Sequence, residues 1–310
     1  MMTHKEFLQS TSICLHSVAK RFATPFHCLM GITLAILIAG DMIFAQVVHL
    51  GGLSQLFAGW QGLLLLVGAL CYCIWRSFPR LIETCQLAIW AVLMTNTLSL
   101  LIQIAGRSPR PLIDHALDSI DTWAHFSTSY FVHLVARAPL VEVGLDIIYF
   151  LLPPLIIAAI LIPTLCGRSE AARRYVLGIV IAAIITAALS ALWPAVGPWT
   201  IQDIKPTKEQ VGVAAYLIRL KSSAPVELDM NNAGIVSFPS FHVVLAILSA
   251  VALSSIRRLR AWAWALAALI CISAITTGWH YGIDILGGLI LAIITMITTS
   301  WIPRVCHSSD

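Results

Sequence analysis

Stretches of roughly 20 apolar residues, the length a helix needs to cross a bilayer core, recur from residue 29 almost to the C-terminus. Hydrocarbon offers no water to unpaired backbone groups, so such runs must fold as helices rather than as open sheets or loops. With 59% of the residues hydrophobic against 11% charged, this chain has lipid as its main solvent. The expected fold class is all-α: a polytopic bundle of about eight transmembrane helices, with no room for a separate soluble domain. The spans are expected at 29–49, 56–75, 84–105, 141–165, 175–194, 238–256, 261–278 and 283–302.

Orientation follows from where the positive charges fall, because cytoplasmic connections are rich in Lys and Arg. A cytoplasmic N-terminus puts Lys5, Lys20, Arg21, Arg76, Arg80, Arg168, Arg173, Arg174, Arg257, Arg258, Arg260 and Arg304 inside. Arg107, Arg110, Arg137, Lys205, Lys208, Arg219 and Lys221 fall in two long outer loops, so both termini are expected in the cytoplasm. Compact loops and short tails favour a bacterial inner membrane. This orientation accounts for the net charge of +4 and implies no nucleic-acid partner. The first 28 residues lack a short apolar region with a cleavage site, so the first helix is expected to persist in the mature protein. The eight cysteines avoid the polar outer loops, which argues against a disulfide framework.

The outer segment Arg107 to Leu140 is too polar to span. Leu117, Ile120, Trp123, Phe126, Tyr130 and Leu134 recur near helical spacing opposite Asp114, Asp118 and Asp121, which predicts one amphipathic helix lying in the interface. The second outer loop, Trp199 to Val236, is expected to fold over its neighbours as a partial cap. Asp41, Glu142 and Asp146 are expected to make interhelical hydrogen bonds, and Trp193, Trp199 and Trp279 to belong to an aromatic belt.

Two stretches depart from this background: SFPSFHVV at Ser237–Val244 and TTGWHYGIDILGG at Thr276–Gly288. Both fall at outer helix ends. His280 and Asp284 are four apart, so on one helix face the carboxylate could hold one ring nitrogen and leave the other as an oriented nucleophile or base. Pro239 suits a helix first turn, where the backbone N–H groups of Ser240 and Phe241 and the Ser240 hydroxyl could cradle a phosphate. His242 in that turn could give a proton to a leaving oxygen. Taken singly, a helical His–Asp pair is more often a structural hydrogen bond, and a lone interfacial histidine more often has no catalytic role.

Together these residues resemble the phosphatidic acid phosphatase type 2 superfamily, whose later motifs appear here as PSFH and as His280 with Asp284. The stretches RPLIDHALDSID (Arg110–Asp121), WPAVGPW (Trp193–Trp199) and GIVSFPSFH look like the inositol phosphorylceramide synthase branch. The resemblance runs from about residue 83 onward. It implies a six-helix phosphatase-type catalytic core within residues 81–304, preceded by a cytoplasmic segment (1–28) and two further helices (29–80), and followed by a tail (305–310). It also implies a lipid phosphatase or phosphotransferase working through a phosphohistidine: His280 attacks phosphorus, Asp284 orients it, and His242 protonates the leaving alcohol. No metal or cofactor is implied; the partners are membrane lipids, and oligomeric state is left open. The family's basic clamp is incomplete, since Gln103 and Ala274 stand where it carries Lys and Arg. Arg110, Arg219 and Lys221 are the expected replacements, and a weaker clamp suits a phosphodiester. A catalytically silent lipid-binding or transport protein is the competing reading.

Overall fold

The structure, a computed structural model, describes residues 24–52, 54, 60–222, 224–229 and 235–302. The expectations for Lys5, Lys20, Arg21, Arg304, the 305–310 tail and most of the 1–28 segment lie outside the described residues. The described chain is helical: α1 (Pro25–Val47), α2 (Trp60–Trp75), α3 (Pro79–Gly106), α4 (Asp114–Trp123), α5 (Thr128–Ala136), α6 (Pro139–Tyr149), α7 (Leu152–Leu165), α8 (Ser169–Leu192), α9 (Lys208–Lys221), α10 (Phe241–Leu253), α11 (Arg260–Thr276) and α12 (Gly282–Ser300). A two-residue parallel ladder joins β1 (Leu50–Gly51) to β2 (Val226–Glu227).

By length and composition, α1, α3, α8 and α12 can each cross a membrane, and α6 with α7 forms a fifth candidate bent by 45°. The shorter apolar helices are α2, α10 and α11. Each of the eight expected windows overlaps a described helix, but 141–165 is not one continuous rod. Pro153 and Pro154 lack the N–H that would bond back into the preceding turn, so α7 starts afresh after Tyr149. Bulky apolar side chains such as Leu65, Leu140, Ile36 and Trp262 point outward, a surface only lipid can solvate. The chain is an integral membrane protein.

α10 sits at the centre of the bundle, contacted by α7, α8, α11 and α12. Small buried residues on it, Ala246, Ser249 and Ala250, let these neighbours approach closely. α1 and α2 lie outside, each packed chiefly against α3. At one end of the bundle, Arg80 donates to the Leu165 carbonyl, Arg173 pairs with Glu83, and Arg174 reaches Glu170 and the Thr299 carbonyl. His242 and His280 lie at the opposite end.

Helix pairing there corrects one expectation. The Arg107–Leu140 segment is two helices, α4 and α5, separated by a turn in which His125 adopts a positive φ of 55°. Its acidic side, expected to face water, faces the protein. The Asp114 carboxylate accepts the backbone N–H groups of Val196 and Gly197 (2.8–3.1 Å), and Asp121 accepts those of Gly282 and Ile283 at 2.6 and 2.9 Å. Trp123 instead points outward, 84% exposed. Leu117 is buried on that same side between Asp114 and Asp121, so the protein-facing side combines an apolar contact with carboxylates that satisfy orphan amides.

The described residues of the second outer loop include a helix, α9. α9 begins with a reciprocal capping box, Thr207 taking the Gln210 N–H and the Gln210 side chain taking the Thr207 N–H. The T-x-x-Q spacing was the signal for it.

Candidate active site

His280 is not on a helix face. Helix α12 starts at Gly282 with Tyr281 as N-cap, so His280 sits in the chain entering the helix. Asp284, the third helical residue, turns back to accept the Tyr281 N–H at 2.9 Å, and the same oxygen accepts the Ser237 hydroxyl at 2.8 Å. His280 Nδ1 lies 3.4 Å from that oxygen and 3.1 Å from the Ser237 carbonyl. Both neighbours are acceptors, so Nδ1 carries the proton and Nε2 keeps its lone pair. Sequence reasoning overlooked Ser237, which here grips both members of the pair; its only signal was its place at the start of the SFPSFHVV stretch.

His280 and Asp284 are 3% and 0% exposed, which shields the pair from competing water. The imidazole of His242 lies 5.9 Å from that of His280, centroid to centroid. It stacks on Tyr149 at 4.6 Å and 16°, and Tyr149 in turn parallels Trp279 at 6.5 Å. Trp279 therefore does more than an aromatic belt asks of it. It walls the same cavity of about 700 Å³ that His242, His280 and Tyr149 line.

The cavity is amphiphilic. Leu152, Pro153, Ile156 and Leu245 form a wall between α7 and α10, and Lys208 and Glu209 form part of its rim at the start of α9. Tyr149, at the α6–α7 bend, holds the ring of His242 by its face. Tyr149→Leu is expected to lower turnover about tenfold, roughly the worth of one aromatic pair and the lost orientation. Tyr149→Phe keeps the ring and is expected to stay within about threefold, measured as initial rates on one labelled lipid.

The PSFH turn differs from expectation in two ways. Pro239 precedes the N-cap rather than occupying the first turn, since α10 starts at Phe241 after Ser240. The Ser240 N–H is already committed to the Asp284 carbonyl at 3.1 Å. What remains for a ligand is the Ser240 hydroxyl, fully buried with no hydrogen-bond partner, and the first-turn N–H groups beginning at Phe241.

Arg110, Arg219 and Lys221 are not brought to the cavity. Arg110 is exposed at the surface. Arg219 lies over the Tyr216 ring at 5.5 Å. The Lys221 ammonium donates to the Ser108 and Arg110 carbonyls at 2.9 and 2.8 Å, and partial burial pulls it below its ordinary range. Gln103 accepts the Tyr216 hydroxyl, and Ala274 is buried without polar function. Among the described residues, no group of three or more His, Cys, Asp or Glu side chains gathers to hold a metal ion.

Asp121 ties this site to the outer helices, since both amides it binds open α12. Burial pushes its carboxyl above the usual range, and the two backbone donors partly offset that. Asp121→Ala leaves two donors without their acceptor, and each such group costs about 1–3 kcal/mol. The melting temperature in detergent is expected to drop clearly, and Asp121→Asn, which keeps one acceptor oxygen, to drop less.

The family model of the PAP2 superfamily matches residues 115–298, from α4 to α12, and so takes in both histidines and Asp284. No curated protein and no solved structure matches the chain.

Proposed function

The chain belongs to the PAP2 superfamily, and from that premise we propose that it is a membrane lipid phosphatase or phosphotransferase acting on a phospholipid or sphingolipid headgroup. The observation that carries this reading is His280: its Nδ1 is held by two acceptors, and its ring lines a cavity of about 700 Å³ shared with His242. A fixed tautomer is what a nitrogen nucleophile requires.

In the proposed reaction, the lone pair on His280 Nε2 attacks phosphorus, the bond to the leaving alcohol breaks, and His242 gives that oxygen a proton. Water or a lipid hydroxyl then attacks the phosphohistidine, returning a proton to His242 and freeing Nε2. The Ser240 hydroxyl and the Phe241 N–H receive a non-bridging oxygen. Asp284 and the Ser237 carbonyl steady the imidazole as positive charge develops on it.

The apolar wall between α7 and α10 suits acyl chains, which supports a lipid over a soluble phosphate ester. Transfer of a phospho-headgroup to a lipid hydroxyl, as in the inositol phosphorylceramide synthase branch, is the finer reading; the stretches at Arg110–Asp121 and Trp193–Trp199 support it. Eight spans with α1 and α2 outside a six-helix core, and a site on the extracytoplasmic face of a bacterial inner membrane, complete the proposal. The basic helix ends opposite the histidines favour that orientation.

The test is incubation of the purified protein with headgroup-labelled phospholipids, with and without ceramide or other acceptor alcohols, beside the His280→Ala protein. Free phosphate formed only with His280 present identifies a phosphatase, and label on an acceptor lipid a transferase. No His280-dependent product across the panel would instead favour a catalytically silent scaffold.

A further inference from the structure

We infer that Lys208 is the phosphate-binding cation of this cavity, standing in for the two neutral positions Gln103 and Ala274; the inference rests on the reading that the cavity handles phosphate. Among the described residues lining it, Lys208 is the sole Lys or Arg. The other outer cations are engaged or elsewhere. Arg107 spends its guanidinium on the carbonyls of Val48, His49, Leu220, Ser222 and Ala224, and Lys221 spends its ammonium on two more.

Position makes Lys208 unusual. It is the first residue of α9, where the helix dipole disfavours a cation, so helix stability does not account for it. An anion at the cavity rim would reverse that sign, meeting the ammonium and the helix end together. The first turn is also held still relative to the nucleophile. The Thr207–Gln210 capping box fixes where α9 begins, and the Gln210 amide donates to the Thr277 carbonyl at 3.2 Å, three residues before His280. Lys208 and His280 thus belong to one braced unit. Glu209 beside it puts a carboxylate on the same rim, so the local charge is balanced and a phosphate with one negative charge is less opposed than one with two.

The experiment uses orthovanadate, a phosphate mimic that can be followed by quenching of tryptophan fluorescence because Trp279 lines the cavity. Wild type, Lys208→Ala, Lys208→Arg and Lys205→Ala are compared in detergent, the last removing an exposed neighbour that does not line the cavity. Lys208→Ala is expected to weaken vanadate binding about tenfold and to raise KM for lipid about tenfold, with the melting temperature unchanged. Lys208→Arg should stay within about threefold, and Lys205→Ala should match wild type. Unchanged vanadate affinity in Lys208→Ala, an equal loss in Lys205→Ala, or no vanadate binding by wild type would each overturn the assignment. Lys208-dependent vanadate binding without lipid turnover would sink the proposed reaction and leave Lys208 standing. His280-dependent turnover with KM unaltered by Lys208→Ala would do the reverse.

Discussion

His280→Ala is expected to abolish product formation from every lipid the wild type turns over, because no second nucleophile stands in its place. His242 sits 5.9 Å away with its ring clamped against Tyr149, so it cannot swing in as a substitute. Asp284→Asn is the more informative partner experiment. An amide can present a donor to Nδ1, and the ring then favours the proton on Nε2, where it blocks attack. In a serine-protease triad the analogous change costs about 10⁴-fold. Here the Ser237 carbonyl still accepts from Nδ1 at 3.1 Å, closer than the carboxylate itself, so the expected loss is smaller, about 10²–10³-fold in kcat. Single-turnover rates on labelled lipid, with circular dichroism to establish folding, measure both variants. A loss below about fivefold for Asp284→Asn would mean that the carbonyl alone sets the tautomer.

How far the sequence spoke depended on the length scale of each signal. Apolar runs announced helix at every window because lipid leaves the backbone one way to satisfy itself, but the bend at Pro153 needed local proline chemistry that hydropathy averages away. His242, His280 and Asp284 were legible from two short stretches. Their bracing was not, since Ser237 works through a carbonyl and a hydroxyl that contacts alone reveal. The spacing of Asp114 and Asp121 stood out, but periodicity says nothing about which orphan amides a carboxylate will meet. Arg110, Arg219 and Lys221 fall outside the cavity lining for a related reason. Charge near a motif in sequence marked Arg110, Arg219 and Lys221, whereas Lys208, placed by the turn of α9, lines the cavity. WPAVGPW had a structural meaning as well: Gly197, at φ 144°, gives Asp114 its N–H where a side chain would strike the Trp199 ring.

Gly288→Ala should produce the second large effect, and it acts without touching a reacting group. A Cβ at Gly288 would sit 2.5 Å from the Ser240 carbonyl oxygen and 2.9 Å from Val243 Cβ, on the first turn of α10. One of these atoms is backbone, so no rotamer change relieves the clash, and α10 must move away from α12. Those two helices carry His242 and Asp284 respectively, and Ser240 is bonded to the Asp284 carbonyl across the same contact. Overpacking of this kind costs about 1–3 kcal/mol. The displacement matters more for chemistry, because a misplacement of about 1 Å costs roughly 10²-fold in rate. Gly62→Ala and Gly68→Ala on α2, where an added Cβ meets nothing within 4 Å, are the controls. They are expected to be neutral or to stabilise by up to about 1 kcal/mol. A folded Gly288→Ala protein with wild-type turnover would mean that the site tolerates a shift of α10 against α12, and that the close crossing of the two helices serves packing alone.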